Sequence, residues 1–194
     1  MNLQPLINHY EQHIQLTEEE KELLKDYVTE RTYLKGQFIL QQGDVCTKGN
    51  FIVKGCTKMF LVDREGNEHI VMFGVEDWIV SDLGSFISQT PADYNIQCLE
   101  TTTVLQFEKE KEEQMLKKIP KLQYFYSVKL QSALVHAHKR IVRNLSHTAK
   151  ERYIYFRNRY PNIEQRIPQY MIASYLGISK EFFSKIKKEV VLGE

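Results

Sequence analysis

The chain is poor in the residues on which disulfide, redox and metal chemistry depend. Its 194 residues include three cysteines, Cys46, Cys56 and Cys98, with no CxxC pair and none near the N-terminus. An odd, widely spaced set argues against a disulfide framework and against an iron–sulfur cluster. With no signal peptide, it points to a reducing cytoplasm. No apolar run approaches the roughly 18 residues of a membrane-spanning helix. There is no glycine-rich phosphate loop, no nucleophile elbow and no carboxylate pair in a catalytic setting. A cupin-type metalloenzyme needs a His-x-His set with a later Glu and His, whereas His69 stands alone in the β-rich region. His9 and His13 share a helix face but do not complete a metal site, and His136 and His138 diverge on a helix. The expectation is neither an enzyme nor a metalloprotein. Few glycines and prolines (nine and five) with 42% hydrophobic residues indicate a globular chain.

Charge is nearly balanced overall, at +1, but unevenly placed. Residues 1–138 hold 14 Lys/Arg against 20 Asp/Glu, and residues 139–194 hold 12 against 5. A basic C-terminal segment on an acidic body is the distribution of a DNA-binding module attached to a domain that does not bind DNA. A membrane-surface helix would need one long uninterrupted apolar face, which this segment lacks.

The basic segment contains QYMIASYLGISKEFFSKIKK, residues 169–188. Ile172 and Leu176 lie four apart on one face of a first helix, and Ala173 is small enough for a second helix to approach. Gly177 supplies the left-handed residue of a tight turn, Ile178 plugs it, and Ser179 caps the next helix. Phe183 and Ile186 anchor that second helix. This is a helix-turn-helix pattern, in which the second helix enters the major groove. Its outward residues are Lys180, Glu181, Ser184, Lys185, Lys187 and Lys188. Ammonium groups suit phosphates and guanine edges, and a carboxylate suits the cytosine amino group. Lys180, Glu181 and Lys185 are the candidates for base contact; Lys187 and Lys188 are those for phosphate.

Upstream, residues 1–30 read as helical, with a capping box at Thr17–Glu20. From Tyr33 to Phe107 short β-rich runs alternate with turns at about ten-residue spacing, as in a β-sandwich or barrel. Gly36, Gly43, Gly55 and Gly66 mark turns, and residues 63–68 form a hairpin connection. Trp78, Phe73 and Phe86 read as core. Glu108–Lys118 is a short helix with a solvated face. A long helix runs from Pro120 to about Ser146, and another from Thr148 to Arg159. On the long helix Leu130, Leu134, Ala137, Ile141 and Asn144/Leu145 follow 4-3-4-3 spacing and make a seam for a partner helix.

The order of these parts resembles the cyclic-AMP receptor protein/Fnr (Crp/Fnr) family of bacterial transcription regulators. Lys35-Gly36 before FILQQGD, FIVKGCTKMFLVDREGNEHIV and VEDWIVSDLGSF look like that family's opening strand, its hairpin, and the approach to its phosphate-binding cassette. Ser179-Lys180-Glu181 and Lys185 match the family's Ser-Arg-Glu and Arg, with lysine for arginine. The resemblance implies an α+β chain. Residues 1–119 would form an antiparallel, jelly-roll-like β-roll sensor flanked by helices. Residues 120–146 would form a dimerisation helix, and 147–194 a helical helix-turn-helix domain. It also implies a homodimer on a palindromic operator in double-stranded DNA, an effector in the roll, and RNA polymerase as a further partner.

Two departures stand out. The family's nucleotide binders carry Gly-Glu, then an arginine that neutralises the phosphate. Here those positions read Ser81-Asp82 and Ala92-Asp93, so cyclic AMP in the usual mode is not expected. Ser81, Asp82, Leu83, Ala92 and Asp93 remain candidates for an effector pocket with a different small molecule. Second, only VVLGE follows Glu189, so the expected wing is reduced or absent, which would weaken phosphate contact. The competing expectation is a small-molecule or protein-binding sensor whose helix-turn-helix is vestigial.

Overall fold

The computed structural model describes residues 1–192. Two compact units are present: Met1–Leu61 with Met72–Leu130, and Val62–Val71 with Gln131–Glu194.

The first unit opens with α1 (Gln4–Glu11) and α2 (Glu18–Leu23), followed by a 3-10 turn at Leu24–Asp26. The Thr17 capping box forms as its sequence requires: Glu20 N donates to Thr17 Oγ1, and Thr17 N donates to the Glu20 carboxylate. The helical reading of residues 1–30 needs one correction. A strand, β1 (Thr29–Tyr33), begins at Thr29 and pairs antiparallel with β8 (Thr102–Glu108). Its residues are largely exposed and polar, so no apolar alternation announced it. The backbone pairing with β8 decides its conformation.

The remaining strands are β2 (Phe38–Leu40), β3 (Lys48–Lys54), β4 (Thr57–Val62), β5 (Glu68–Gly74), β6 (Ile79–Val80) and β7 (Asn95–Cys98). They form two four-stranded sheets, ordered β1-β8-β3-β6 and β2-β7-β4-β5. Tyr33, Ile52, Val80 and Val104 of the first sheet share one buried cluster with Leu40, Met59, Ile96 and Cys98 of the second. Neighbouring positions on β3 and β8, Phe51 and Leu105, face the other way. There they pack with Leu6, Tyr10, Leu24, Met115, Leu122 and Phe125 from the flanking helices. Period-two alternation therefore fills two cores from one sheet. Gly36, Gly43, Gly55 and Gly66 all take positive φ. At Gly55 a Cβ would also stand 2.6 Å from the Thr102 Cα, so any side chain is excluded by space as well as by backbone.

Residues 83–88, within a run read as β-rich, instead form α3 (Leu83–Ser88), because Asp82 caps it. Then follow α4 (Lys109–Lys118) and α5 (Lys121–Ser146), the long helix expected from Pro120. Leu122 and Phe125 at its start are buried.

The second unit holds the rest of α5, α6 (Ala149–Arg159), a 3-10 turn at Ile163–Gln165, α7 (Gln169–Leu176) and α8 (Lys180–Leu192). Thr148 caps α6 with a second capping box through Glu151. The core of this unit is aromatic. Tyr153, Phe156 and Phe183 are fully buried, with the Tyr153 and Phe183 rings edge-to-face at 5.1 Å. Where a wing was in question, α8 continues to Leu192, and residues 193–194 lie outside those described. Among the described residues no helix is long and apolar enough to cross a membrane.

Candidate nucleic-acid interface

The α7–α8 junction is built by local chemistry. Gly177 sits at φ 66°, and its N–H donates to Ser174 O while the Ile178 N–H donates to Ala173 O. These two bonds form a Schellman close, which a left-handed glycine permits. Ile178 is half-buried just beyond it. Ser179 Oγ then accepts from the Phe182 N–H at 3.2 Å, capping α8. Ile172, Ala173 and Leu176 of α7 are buried, as are Phe183 and Ile186 of α8. All eight positions singled out in the sequence lie in this junction.

With Phe183 and Ile186 turned inward, the exposed surface of α8 is mainly polar. Lys180, Glu181, Ser184, Lys185 and Lys188 are exposed. Among the described residues, Lys180, Lys185 and Lys188 have no carboxylate at ion-pair distance. Ser184 Oγ donates back to Lys180 O at 3.0 Å. The Glu181 carboxyl is held below its usual range by its own backbone N–H and by Ser179. Lys187 stands apart: it is half-buried and lies 3.8 Å from Glu164, whose other oxygen accepts from the buried Tyr153 hydroxyl. Burial, and then Glu164, push that phenol well above its ordinary range. Lys187 is thus a strut within the unit.

Phe182 was missed by sequence reading. It is 48% exposed on α8, although its neighbour Phe183 is fully buried. Phe182 and Phe183 both have a spacing that shares a face with Ile186, four and three residues on, so spacing alone does not tell which of the two turns outward.

The hairpin tip, Val62–Val71, belongs to this unit. Asp63 closes it, accepting from the Glu65 and Asn67 N–H groups, each at 2.9 Å. His69 Nε2 lies 2.7 Å from the Asp63 carboxylate and, with those backbone donors, holds that carboxyl well below the usual range. β5 is the outer strand of its sheet, and its free edge is covered by side chains. Ser174 Oγ donates to Glu68 O at 2.9 Å and accepts from the Ile70 N–H at 3.1 Å. The Arg140 guanidinium donates to Val71 O and stacks over the Tyr175 ring at 4.4 Å.

The candidate effector residues fall in the first unit. Asp82 is 3% exposed, and its carboxylate is already engaged. One oxygen accepts from the Ser85 N–H at 3.0 Å; the other accepts from Asp93 N at 2.9 Å and Tyr94 N at 3.3 Å. Ser85 Oγ in turn accepts from Cys46 N and donates to Thr90 O. Ala92 is buried, while Leu83 and Asp93 are exposed and Ser81 is half-buried. Asp82 thereby ties α3 to the loop before β7. A cavity of 490 Å³ does exist in the second unit, lined by Arg157, Asn158, Asn162 and Gln165 among others, but none of these five residues lines it. The three cysteines are buried thiols, and burial raises Cys46 and Cys98 above the ordinary thiol range. No group of three or more His, Cys, Asp or Glu among the described residues is placed to hold a metal.

Residues 30–119 match the family model of the cyclic nucleotide-binding domain. No curated protein matches the chain in sequence. Among solved structures, it is similar to the c-di-GMP responsive global regulator CLP of Xanthomonas campestris, with TM-score 0.72 and 14% identity over 91% of this chain and 93% of that one. It is also similar to FixK2 from Bradyrhizobium japonicum, with TM-score 0.72 and 17% identity over 86% of each chain. Catabolite activator protein of Thermus thermophilus gives TM-score 0.59 and 19% identity over 92% of this chain and 85% of that one. Likeness at such identities is likeness of fold. The chain therefore contains a region matching the cyclic nucleotide-binding domain and shares its fold, over nearly its whole length, with the solved structures of CLP and FixK2.

Proposed function

We propose that the protein is a DNA-binding transcription regulator that acts as a homodimer and is not an enzyme. Residues 1–119 serve as its sensor, 120–146 as its dimerisation helix and 147–194 as its helix-turn-helix domain. The observation that carries this reading is the face of α8. Three lysines without an ion pair among the described residues and one carboxylate stand outward on a helix, capped and anchored on its other side by a buried aromatic core. Such a face meets phosphates with its ammonium groups and base edges with Lys180, Glu181 and Lys185. The exposed apolar row on α5 supplies the dimer seam, and a two-fold dimer places two recognition helices on half-sites about 34 Å apart. An effector acting through the sensor changes that spacing.

The cassette region does not fit a cyclic nucleotide phosphate. Asp82 has both carboxylate oxygens bound to backbone N–H groups, and Asp93 adds a second negative charge where a cation is needed. Any effector of this sensor is of another chemical class, or binds elsewhere.

Fluorescence anisotropy on sheared genomic DNA tests the reading. The wild type binds, and the double variant Lys180→Ala, Lys185→Ala loses at least about ten-fold in affinity, since each base contact supplies about 1–3 kcal/mol. Unchanged binding by a folded double variant removes the assignment.

A further inference from the structure

Phe182 is the one large apolar side chain left standing on the outer part of α8 among the described residues, at 48% exposure. Phe183 and Ile186 are the side chains of α8 that are buried in the core, and Phe182 is not among them. The Ser179 cap fixes the backbone from which the ring projects, in the first turn of the helix. That turn is the one that reaches base edges in a groove-inserted recognition helix. Its helical neighbours outward are Glu181 and Lys185, with Lys180 and Lys188 along the same exposed face. The occupant of this surface must therefore be polyanionic and must also offer an apolar group at one point. A DNA major groove meets both demands, because thymine presents a methyl group there and no other standard base does. A protein partner would need an acidic surface with an apolar socket, and a single exposed ring is too small an anchor for that.

We infer that Phe182 reads the 5-methyl group of a thymine within each half-site, making it a specificity-determining residue beside the polar set Lys180, Glu181 and Lys185. This rests on the DNA-binding reading above. It predicts that the operator contains an invariant thymine, and that the methyl group itself is what the protein senses. A cytosine carrying a 5-methyl group presents the same feature, so the surface would also respond to that modification.

The experiment selects duplexes from a randomised library with the full-length wild type. Each thymine of the enriched duplex is then replaced by deoxyuridine, one at a time, and affinity is measured by anisotropy. At one position in each half-site the wild type loses about four-fold, the size expected for one methyl group taken out of water. Phe182→Ala shows no loss at that position, and Phe182→Leu retains part of it. Both variants keep the wild-type melting temperature, since the ring is not in the core. If deoxyuridine is neutral everywhere, or if wild type and Phe182→Ala suffer equally, the inference fails while DNA binding stands. If the wild type enriches no duplex, the DNA-binding reading itself fails. If Phe182→Ala binds DNA normally but loses an acidic protein partner recovered with the wild type, the ring serves that partner and the inference is overturned.

Discussion

Single residues in this chain divide into those whose partners are near in sequence and those whose partners are not. Gly177 and Ser179 belong to the first kind, and their roles follow from the order of residues alone. Gly177→Ala is expected to cost about 1 kcal/mol in denaturant unfolding, since a Cβ there meets open space but must adopt the left-handed backbone. Asp82 belongs to the second kind. Its oxygens bind the N–H groups of Asp93 and Tyr94 in a different loop, which no spacing rule foretells. Asp82→Ala is expected to destabilise the protein by about 3 kcal/mol, from loss of a helix cap and of charge-assisted bonds to buried backbone. A loss below about 0.5 kcal/mol in urea titration would show that those bonds are not made in solution. His9 gives a pH signature. Burial, then the Lys129 charge and His13, depress its imidazole from 6.5 to about 4. Its Nδ1 has no hydrogen-bond partner among the described residues. The folded state thus prefers neutral His9. Its contribution to stability is present above the unfolded value of 6.5 and is lost as pH falls from there to about 4. Urea midpoints of wild type and His9→Phe, followed from pH 7 to pH 4, should diverge in that window, with the wild type falling further.

Elements were legible where periodicity was strong. The long α5, the capped α6 and the α7–turn–α8 pair each announced themselves by apolar spacing and by cap residues. β1 did not, because its exposed, polar residues are strand only through pairing with β8. Nor did α3, whose start depends on Asp82. On α5 the residues Leu130, Leu134, Ala137, Ile141 and Leu145 remain exposed, with Leu145 at 83%. An apolar row of this length on one helix calls for a partner helix. Leu134→Asp with Ile141→Asp is therefore expected to convert a dimer into a monomer in sedimentation velocity at micromolar concentration. A double variant sedimenting as the wild type would remove the α5 seam. The covered edge of β5 makes a separate prediction. Without the Ser174 hydroxyl, the Ile70 N–H loses its acceptor. Ser174→Ala should speed hydrogen exchange at Ile70 by about ten-fold, equivalent to one net hydrogen bond, while amides within α8 stay as protected as in the wild type.

On the scale of the whole molecule, the sequence shows a division of labour in its charge: the acid-rich first 138 residues against the basic remainder. That asymmetry was legible without any structure, as were the order of β-rich and helical regions and the outward face of the last helix. The structure changed the membership of that face. Lys187 is tied to Glu164 within its own unit, and Phe182 joins the exposed residues. It also shows the Asp82 carboxylate of the candidate effector pocket bound to the backbone N–H groups of Ser85, Asp93 and Tyr94. The central claim is that two copies of α8 read two half-sites of one duplex. Hydroxyl-radical footprinting of the wild type on the selected duplex tests it most directly. Two symmetric protected patches, centred about one helical turn apart, are expected. Uniform protection along the duplex, or none, by a folded protein would contradict the account.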